Sequence, residues 1–528
     1  MMDKRVLLAA ALSMVVILVY PFLVARIAPG PQDIPAKEPI ISKEETVELY
    51  AQKDKLESRE ESLPVAPISA SIVTDRYDMG LSQEGGAIQK IQIKDGKRKT
   101  MVLVEGAISR AGILSMEGKG PLEGLYLQPF EIRGDTNSFY AETNAIKVEK
   151  ELRFFKDTYG MKAYVRITNK SNSPQELSYE ITIGSNISQE ELGEARYISA
   201  EVLYKDGRLK KIASANAKRP NVLYNNQIEW LALKNKYYSI IAKPDFSPSG
   251  IFAKSAKGSL ATGFIIEEEE ILPGETKAYG FLFYMGPTEI GELEKVEQSF
   301  GKAVNFGVLT NISLVLLTVL RFFYRLFHNY GVSILLLTFC VSLLLYPLSF
   351  KSLKSMRRLQ ELHPHIEKVR EQHKDNPHKL NKEIMEVYRR YNVNPMSGCL
   401  PIFLQMPIFI ALYQTLMRSV ELKGASFLWI KDLSMPDAAF TIPRHLPLLG
   451  NAINILPILM IGAMILQQKI SQGKTTSGAQ LEQQKIMGML MPIVFGFVFY
   501  ALPSGLVLYW LTNTILTTSL QLIFLKKA

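Results

Sequence analysis

The sequence predicts a polytopic α-helical membrane protein that carries a large antiparallel β-sandwich domain outside the membrane. Long apolar runs occur at both ends of the 528-residue chain, and the stretch between them alternates short β-rich runs with Gly, Asn, Asp and Pro. Much of the Lys and Arg surplus behind the net charge of +10 lies beside the apolar runs, where positive charge marks the cytoplasmic side. We therefore expect six transmembrane helices, five of them in a C-terminal core.

The N-terminus reads MMDKR and continues in an almost unbroken apolar run from Val6 to Val24. A run of this length spans a bilayer, whereas the core of a signal peptide is usually shorter. We expect a transmembrane anchor over residues 1–28 and keep a cleaved signal as the alternative, since the charged N-terminus stays inside in both cases. Residues 29–62 are heavily charged with few large apolar side chains, which predicts a flexible linker.

Residues 63–300 are predicted to form the exported β-sandwich, because runs such as KAYVRITN and KAYGFLFYMG alternate between turn residues. All six histidines lie at or after His328, so this domain has no histidine for acid–base or Ser-His catalysis. The two cysteines, Cys340 and Cys399, lie in or beside apolar helices, which excludes a disulfide framework or a metal cluster. We expect no enzyme activity, no cofactor and no metal.

The C-terminal part contains one amphipathic and several apolar segments. Residues 301–330 combine a broad apolar face with arginines near one end, which predicts an interfacial helix; a spanning helix is the alternative. The predicted transmembrane helices are 331–350, 398–418, 452–469, 486–502 and 506–525, joined by an external loop at 419–451 and a cytoplasmic loop at 470–485.

Residues 351–397 are predicted to form a cytoplasmic helical hairpin. Leucine, methionine and isoleucine recur there at three- and four-residue steps, and Pro377 stands where a second helix would begin, after a possible cap at Asn376. Residues 351–395 contain eleven Lys or Arg against six Asp or Glu. The positive-inside rule therefore assigns this hairpin and both chain termini to the cytoplasm.

Polar side chains recur inside the predicted membrane helices. Trp510, Asn513 and Thr517 share one face of the last helix because their spacing is three and four residues. Such residues often only join helices, with hydrogen bonds of about 0.6 to 2 kcal/mol, but polar faces that converge from three helices predict a hydrated groove. The candidate groove residues are Thr338, Ser342, Gln405, Gln414, Tyr509, Trp510, Asn513 and Thr517.

Five motifs carry a family resemblance. They are YPLS at 346–349, SM at 355–356, NVNPMSGCLPIFLQMPIFIALY at 392–413, FLWIKDLS at 427–434 and PSGLVLYW at 503–510. With these motifs in this order, the chain closely resembles the YidC membrane protein insertases, specifically over roughly residues 300–525.

The resemblance implies a function and a location. It implies that the protein inserts nascent membrane proteins and helps them fold through a hydrophilic groove open to the cytoplasm and to lipid, alone or with the Sec translocon. It implies a multi-pass protein of the bacterial inner membrane with its β domain in the periplasm. It also implies contacts with membrane lipids and, through the cytoplasmic loops, with the ribosome.

One position departs from the family pattern. The family typically has a groove arginine four residues before the Tyr of the YPL motif, where this chain has Ser342. We hypothesise that Arg357 and Arg358, next to Met356 at the mouth of the groove, attract acidic client segments while the groove itself is only polar.

Two other function classes fit the sequence less well. A transporter would need charges at mid-membrane and often repeated halves, but the predicted spans contain no Asp or Glu and no internal repeat is visible. A membrane-anchored periplasmic scaffold or assembly chaperone would not need polar faces inside five helices. The chain has no GxxxxGK[ST] motif, and its charge pattern predicts no specific nucleic acid partner.

Overall fold

The computed structural model describes residues 67–94, 101–105, 112–132, 137–188, 194–215, 221–256, 259–373, 376–391, 393, 400–446, 450–471 and 490–527. The predicted anchor over 1–28 and linker over 29–62 lie outside these residues, as does most of the predicted loop at 470–485.

The first part of the described chain is an antiparallel β domain. Its strands are β1 Ala70–Val73, β2 Tyr77–Ser82, β3 Ala87–Ile93, β4 Met101–Glu105, β5 Met116–Gly118, β6 Glu131–Ile132, β7 Ser138–Glu142, β8 Ile146–Phe154, β9 Gly160–Asn169, β10 Gln175–Ser185, β11 Ser199–Tyr204, β12 Leu209–Ser214, β13 Asn221–Tyr224, β14 Ile228–Lys234, β15 Tyr238–Pro244, β16 Gly250–Ala256, β17 Ser259–Ile271 and β18 Thr276–Pro287.

These strands form three sheets. One has the order β1-β2-β3-β4, the second β13-β16-β17-β10-β5, and the third β12-β11-β14-β15-β18-β9-β8-β7-β6. Strand β8 shows why the sheets pack face to face, because its residues alternate between buried and half-buried positions at the two-residue period of a strand. The buried faces enclose one hydrophobic core that includes Trp230, Phe264 and Phe283. The predicted β-sandwich is confirmed.

The second part of the described chain is helical. Its helices are α1 Ile290–Val296, α2 Thr310–Phe327, α3 Tyr330–Glu361, α4 His363–Gln372, α5 Pro377–Arg390, α6 Leu400–Arg418, α7 Ile455–Ser471, α8 Leu490–Tyr500 and α9 Ser504–Lys527. A hairpin of β19 Phe440–Leu446 and β20 Gly450–Ile453 lies between α6 and α7.

Helices α2, α3, α6, α7, α8 and α9 surround a second hydrophobic core. Its members include Leu320, Ile334, Ala411, Met460 and Leu506, all of them fully buried. Among the described residues, α2, α3 and α9 are long and apolar enough to cross a membrane, and α7 and α8 are shorter apolar helices. The length and composition of α2 thus fit a spanning helix as well as the predicted interfacial one.

A tight turn separates α2 from α3. The last residue before the turn, His328, has a left-handed backbone (φ 52°), and its N–H donates to the Tyr324 carbonyl over 2.7 Å. Asn329 then caps α3, because its Oδ1 accepts a hydrogen bond from the Val332 N–H over 3.1 Å. These two caps fix where α3 starts.

Helix α3 extends beyond residue 350, where the predicted transmembrane segment ends. It continues to Glu361, so the predicted membrane segment and the first arm of the predicted hairpin are one helix that passes through Pro347. Residues after 350 are mainly Lys, Leu, Arg, Gln and Glu, which favour helix and so offset the local cost of the proline. Helices α4 and α5 complete the hairpin, and the Asn376 side chain caps α5 at the Lys379 N–H over 3.1 Å, which confirms the predicted cap.

Candidate functional site

Helix α9 presents hydrogen-bonding side chains at four-residue steps. Tyr509, Asn513 and Thr517 lie on one face because about four residues complete a helical turn. Each of the three bonds to a different neighbouring helix. The bonds run from Gln405 Nε2 on α6 to the Tyr509 hydroxyl, from Ser342 Oγ on α3 to Asn513 Oδ1 over 3.2 Å, and from Gln467 Nε2 on α7 to Thr517 Oγ1 over 3.1 Å.

These six side chains, which we call the polar row, differ in burial from the core around them. Tyr509 is fully buried, whereas Ser342, Gln405, Asn513 and Thr517 are half-buried. A primary amide has two donors and two acceptor lone pairs, so the single bonds described above use only part of the capacity of Gln405 and Asn513. The polar row can therefore bind water or a polar peptide segment within an otherwise apolar helical layer.

Trp510 has different surroundings from the polar row. Its ring lies 4.9 Å from Phe409 in an edge-to-face arrangement, 5.3 Å from Phe499 and 5.8 Å from a stacked Phe495. Aromatic pairs of this kind contribute about 0.5 to 1.5 kcal/mol each beyond their buried area. Trp510 thus joins α9 to α6 and α8 through an apolar cluster beside the polar row.

Two other predicted residues also lie apart from the row. Thr338 is fully buried, and its hydroxyl donates to the Ile334 carbonyl of its own helix over 2.6 Å. Gln414 lies near the turn before α2, where its Oε1 is 3.4 Å from the position that a Cβ on Gly307 would take. Of the predicted groove residues, the structure brings together Ser342, Gln405, Tyr509, Asn513 and Thr517.

The predicted mouth residues lie on the part of α3 that extends beyond the apolar segment. Fifteen residues separate Ser342 from Arg357, or about 22 Å along a helix. Arg357 Nε donates to Glu361 Oε1 over 3.2 Å at an exposed site, where such pairs contribute little, and Arg358 is exposed. Of Met356, the structure describes the backbone only.

Sequence reasoning missed two features of the helical part. Gln467 of α7 is the sixth member of the polar row. The sequence indicates it only by an amide side chain inside an otherwise apolar helix. At the helix ends next to the β domain, the buried Glu421 accepts from Arg321 Nε over 2.5 Å and from the Tyr330 hydroxyl over 2.9 Å. About a hundred residues separate these partners, so no local pattern could have revealed the contact.

Fold and site together define a polytopic membrane protein with an exported β domain and a polar row inside its helical core. Residues 322–528 match the family model of the 60Kd inner membrane protein, and residues 137–319 match that of the YidC periplasmic domain. These two matches cover the helical core and most of the β domain.

Relatives of known name belong to the same class. The membrane protein insertase YidC of Nitratidesulfovibrio vulgaris (strain DSM 19637 / Miyazaki F) is 30% identical over 567 residues that cover 100% of both chains. The one of Syntrophobacter fumaroxidans (strain DSM 10017 / MPOB) is 34% identical over 416 residues, 73% of each chain. A solved structure described as "Active YidC insertase crystal structure with the first transmembrane domain resolved" is 19% identical, with 90% and 98% coverage and a TM-score of 0.39.

The chain belongs to the YidC family of membrane protein insertases. Its activity is the insertion of newly made membrane proteins into the inner membrane, and it is not an enzyme. Its β domain is the periplasmic domain of the family.

Proposed function

We propose that the polar row is the part of this insertase that receives the hydrophilic segment of a client. The observation that supports this most is the convergence of α3, α6 and α7 on successive turns of α9 through half-buried polar side chains. A row that served only to join helices would not need amides with unused hydrogen-bonding capacity at the border of the core.

The mechanism follows from the cost of polar groups in lipid. Each unsatisfied backbone group in hydrocarbon costs several kcal/mol, so a short polar client segment needs hydrogen-bonding partners while it crosses. The polar row supplies such partners at membrane depth. The apolar helix of the client meanwhile enters lipid directly, favoured by roughly 25 cal/mol per Å² of apolar surface removed from water.

The row of this chain carries no formal charge, because Ser342 stands where the family typically has an arginine. A neutral row binds polar segments by hydrogen bonds and does not select for acidic ones. We assign the attraction of acidic segments to Arg357 and Arg358, about 22 Å away along α3, where Arg358 is exposed and Arg357 is partly exposed beside Glu361.

The topology and partners form a further part of the proposal. The positive-inside rule favours both termini and the α4–α5 hairpin in the cytoplasm, with the groove open on that side. The same proposal divides the chain into five parts. They are an N-terminal anchor over 1–28, a linker over 29–62, a periplasmic domain over 63–300, an interfacial helix within 301–330 and a helical core beyond it. The Sec translocon, the ribosome at the cytoplasmic loops and membrane lipids are the proposed partners.

Photo-crosslinking tests whether clients contact the polar row. A benzoylphenylalanine at Gln405 or Asn513 should crosslink a client stalled during insertion. Leu344 provides the matched control, because it is two residues beyond Ser342 on α3 and is 74% exposed on the outward surface. We expect several-fold higher yields at the row, and equal yields at Leu344 and Asn513 would refute the proposal.

A further inference from the structure

A three-residue turn links the two hydrophobic cores of the molecule. It spans Val420–Leu422 directly after α6, and its residues are 2%, 8% and 0% exposed. The first, Val420, belongs to the core of the β domain, whereas the third, Leu422, belongs to the helical core. The end of α6 is therefore anchored in both parts of the protein.

Between these two apolar residues stands a buried carboxylate. Glu421 Oε1 accepts from Arg321 Nε of α2 over 2.5 Å, and Glu421 Oε2 accepts from the hydroxyl of Tyr330, the first residue of α3, over 2.9 Å. Arg321 Nη2 also lies 3.7 Å from Glu289 Oε1, just before α1. A buried carboxylate is tolerated only when it is paired and hydrogen-bonded, and here each oxygen serves a different helix.

Contacts with the β-domain side flank this turn in sequence. Before it, Arg418 Nη1 donates to the Asn305 carbonyl over 2.7 Å. After it, the Lys423 ammonium lies 4.9 Å from the centre of the Tyr237 ring and 5.8 Å from that of Tyr238, within cation–π distance. The turn is thus held on both sides, and Glu421 is the point where α2, α3 and the end of α6 meet.

We propose that Glu421 is a positioning residue that holds the periplasmic ends of α2, α3 and α6 together and so closes the groove on that side. The inference rests on the proposed client groove, because α3 and α6 supply Ser342 and Gln405 to the polar row. Ser342 lies twelve residues from Tyr330, about 18 Å along α3. Separation of the helix ends at Glu421 would let water reach the row from the periplasm.

Cysteine labelling from each side of the membrane tests the closure. Ser342→Cys is introduced with Cys340→Ala and Cys399→Ala, and a membrane-impermeant maleimide is added to the β-domain face or to the opposite face. With Glu421 present, we expect labelling from the cytoplasmic face only. Glu421→Gln removes the buried negative charge that Arg321 pairs with and leaves it only the longer contact to Glu289, so labelling from the β-domain face should rise at least about tenfold.

Two further variants complete the test. Arg321→Gln should behave like Glu421→Gln, and the double variant should add little, because both remove the same contact. Arg325→Gln, one turn further along α2 at an exposed site, is the matched control and should leave labelling unchanged. If Glu421→Gln does not elute as folded protein, Tyr330→Phe, which removes one hydroxyl, should give an intermediate increase.

The outcomes separate this inference from the function on which it rests. The reference is the Ser342→Cys protein that keeps Glu421. If this protein and its Glu421→Gln variant are both labelled from the cytoplasmic face alone, Glu421 does not close the groove. Absence of labelling from both faces in the reference would overturn the groove itself, because reagent in the cytoplasm must reach a groove residue.

Discussion

Lys150 in the β domain and the polar row in the helical core hold their polar groups in opposite ways. In the β domain, Lys150 is 1% exposed, and its ammonium donates to the carbonyls of Gly85, Gly86 and Leu114 over 2.6, 3.1 and 2.7 Å. These three bonds use all three hydrogens of the ammonium, and the Phe130 ring lies 4.5 Å away. This group is enclosed and fully satisfied.

In the helical core, every member of the polar row except Tyr509 is instead half-buried. Asn513 and Gln405 each have one described side-chain partner and further hydrogen-bonding capacity. A buried group whose hydrogen-bonding positions are all used stabilises the fold. A half-buried group with unused donors and acceptors can instead form hydrogen bonds with a client. The predictions below test each side of this difference.

The largest expected effect is on the stability of the β domain. Lys150→Ala leaves three buried carbonyls without a donor, which should lower the free energy of unfolding by about 4 kcal/mol. Denaturation of the full chain can be followed by the fluorescence of the buried Trp230 after Trp429→Phe and Trp510→Phe. Lys162→Ala, at an exposed position of neighbouring strand β9, is the control and should stay within about 0.5 kcal/mol of the parent. If Lys150→Ala lowered the free energy of unfolding as little as Lys162→Ala, the three hydrogen bonds would contribute nothing to stability.

The next effect is a dependence of β-domain stability on pH. Burial lowers the pKa of Lys150 from 10.5 to about 7, so the ammonium with its three donors is the folded form below about 7. Between the two values the folded chain holds a neutral amine with two donors, whereas the unfolded chain still binds the proton. Stability should therefore rise with pH above about 7, by up to roughly 1.4 kcal/mol per pH unit, and level off near the unfolded pKa. Denaturation of the parent and of Lys150→Met over this range should show the slope in the parent only, and parallel curves would contradict the assigned pKa.

The smallest effect concerns the mouth of the helical core. Arg357→Gln with Arg358→Gln should reduce insertion of a client with an acidic tail by about threefold and leave a neutral-tailed client nearly unchanged, because exposed charges mainly steer association. Arg389→Gln with Arg390→Gln, at the end of α5, is the matched control for the loss of two positive charges. Equal losses of insertion for the two clients would show that Arg357 and Arg358 do not attract acidic segments.

Several features could be predicted from the sequence because their signals are local. These features depend on residues close in sequence. They are the alternating pattern of the strands, the apolar runs, the cap at Asn376 and the spacing of Asn513 and Thr517. The continuity of α3 through residue 350 was not predicted, since the apolar run ends near that residue while helix-forming residues continue to Glu361.

Long-range contacts could not be predicted from the sequence. The carbonyls of Gly85 and Gly86 accept from the Lys150 ammonium, which lies 65 and 64 residues away along the chain. Both glycines have positive φ, and a Cβ on Gly85 would meet the Tyr126 carbonyl oxygen at 2.7 Å. Trp510 likewise shares a face with polar residues by spacing alone, while its neighbours in space are phenylalanines from two other helices.

The most direct measurement of the central claim is insertion by the purified protein alone in liposomes, without ATP or translocon. A client with one or two membrane helices is added, and protease protection of its translocated segment is measured. We expect protection with the parent protein and with the control Leu344→Ala, and at least about tenfold less with Ser342→Leu and Asn513→Leu combined, because the row then lacks two of its polar side chains. Undiminished protection with the leucine variant would contradict the account and leave the polar row as a means of joining helices.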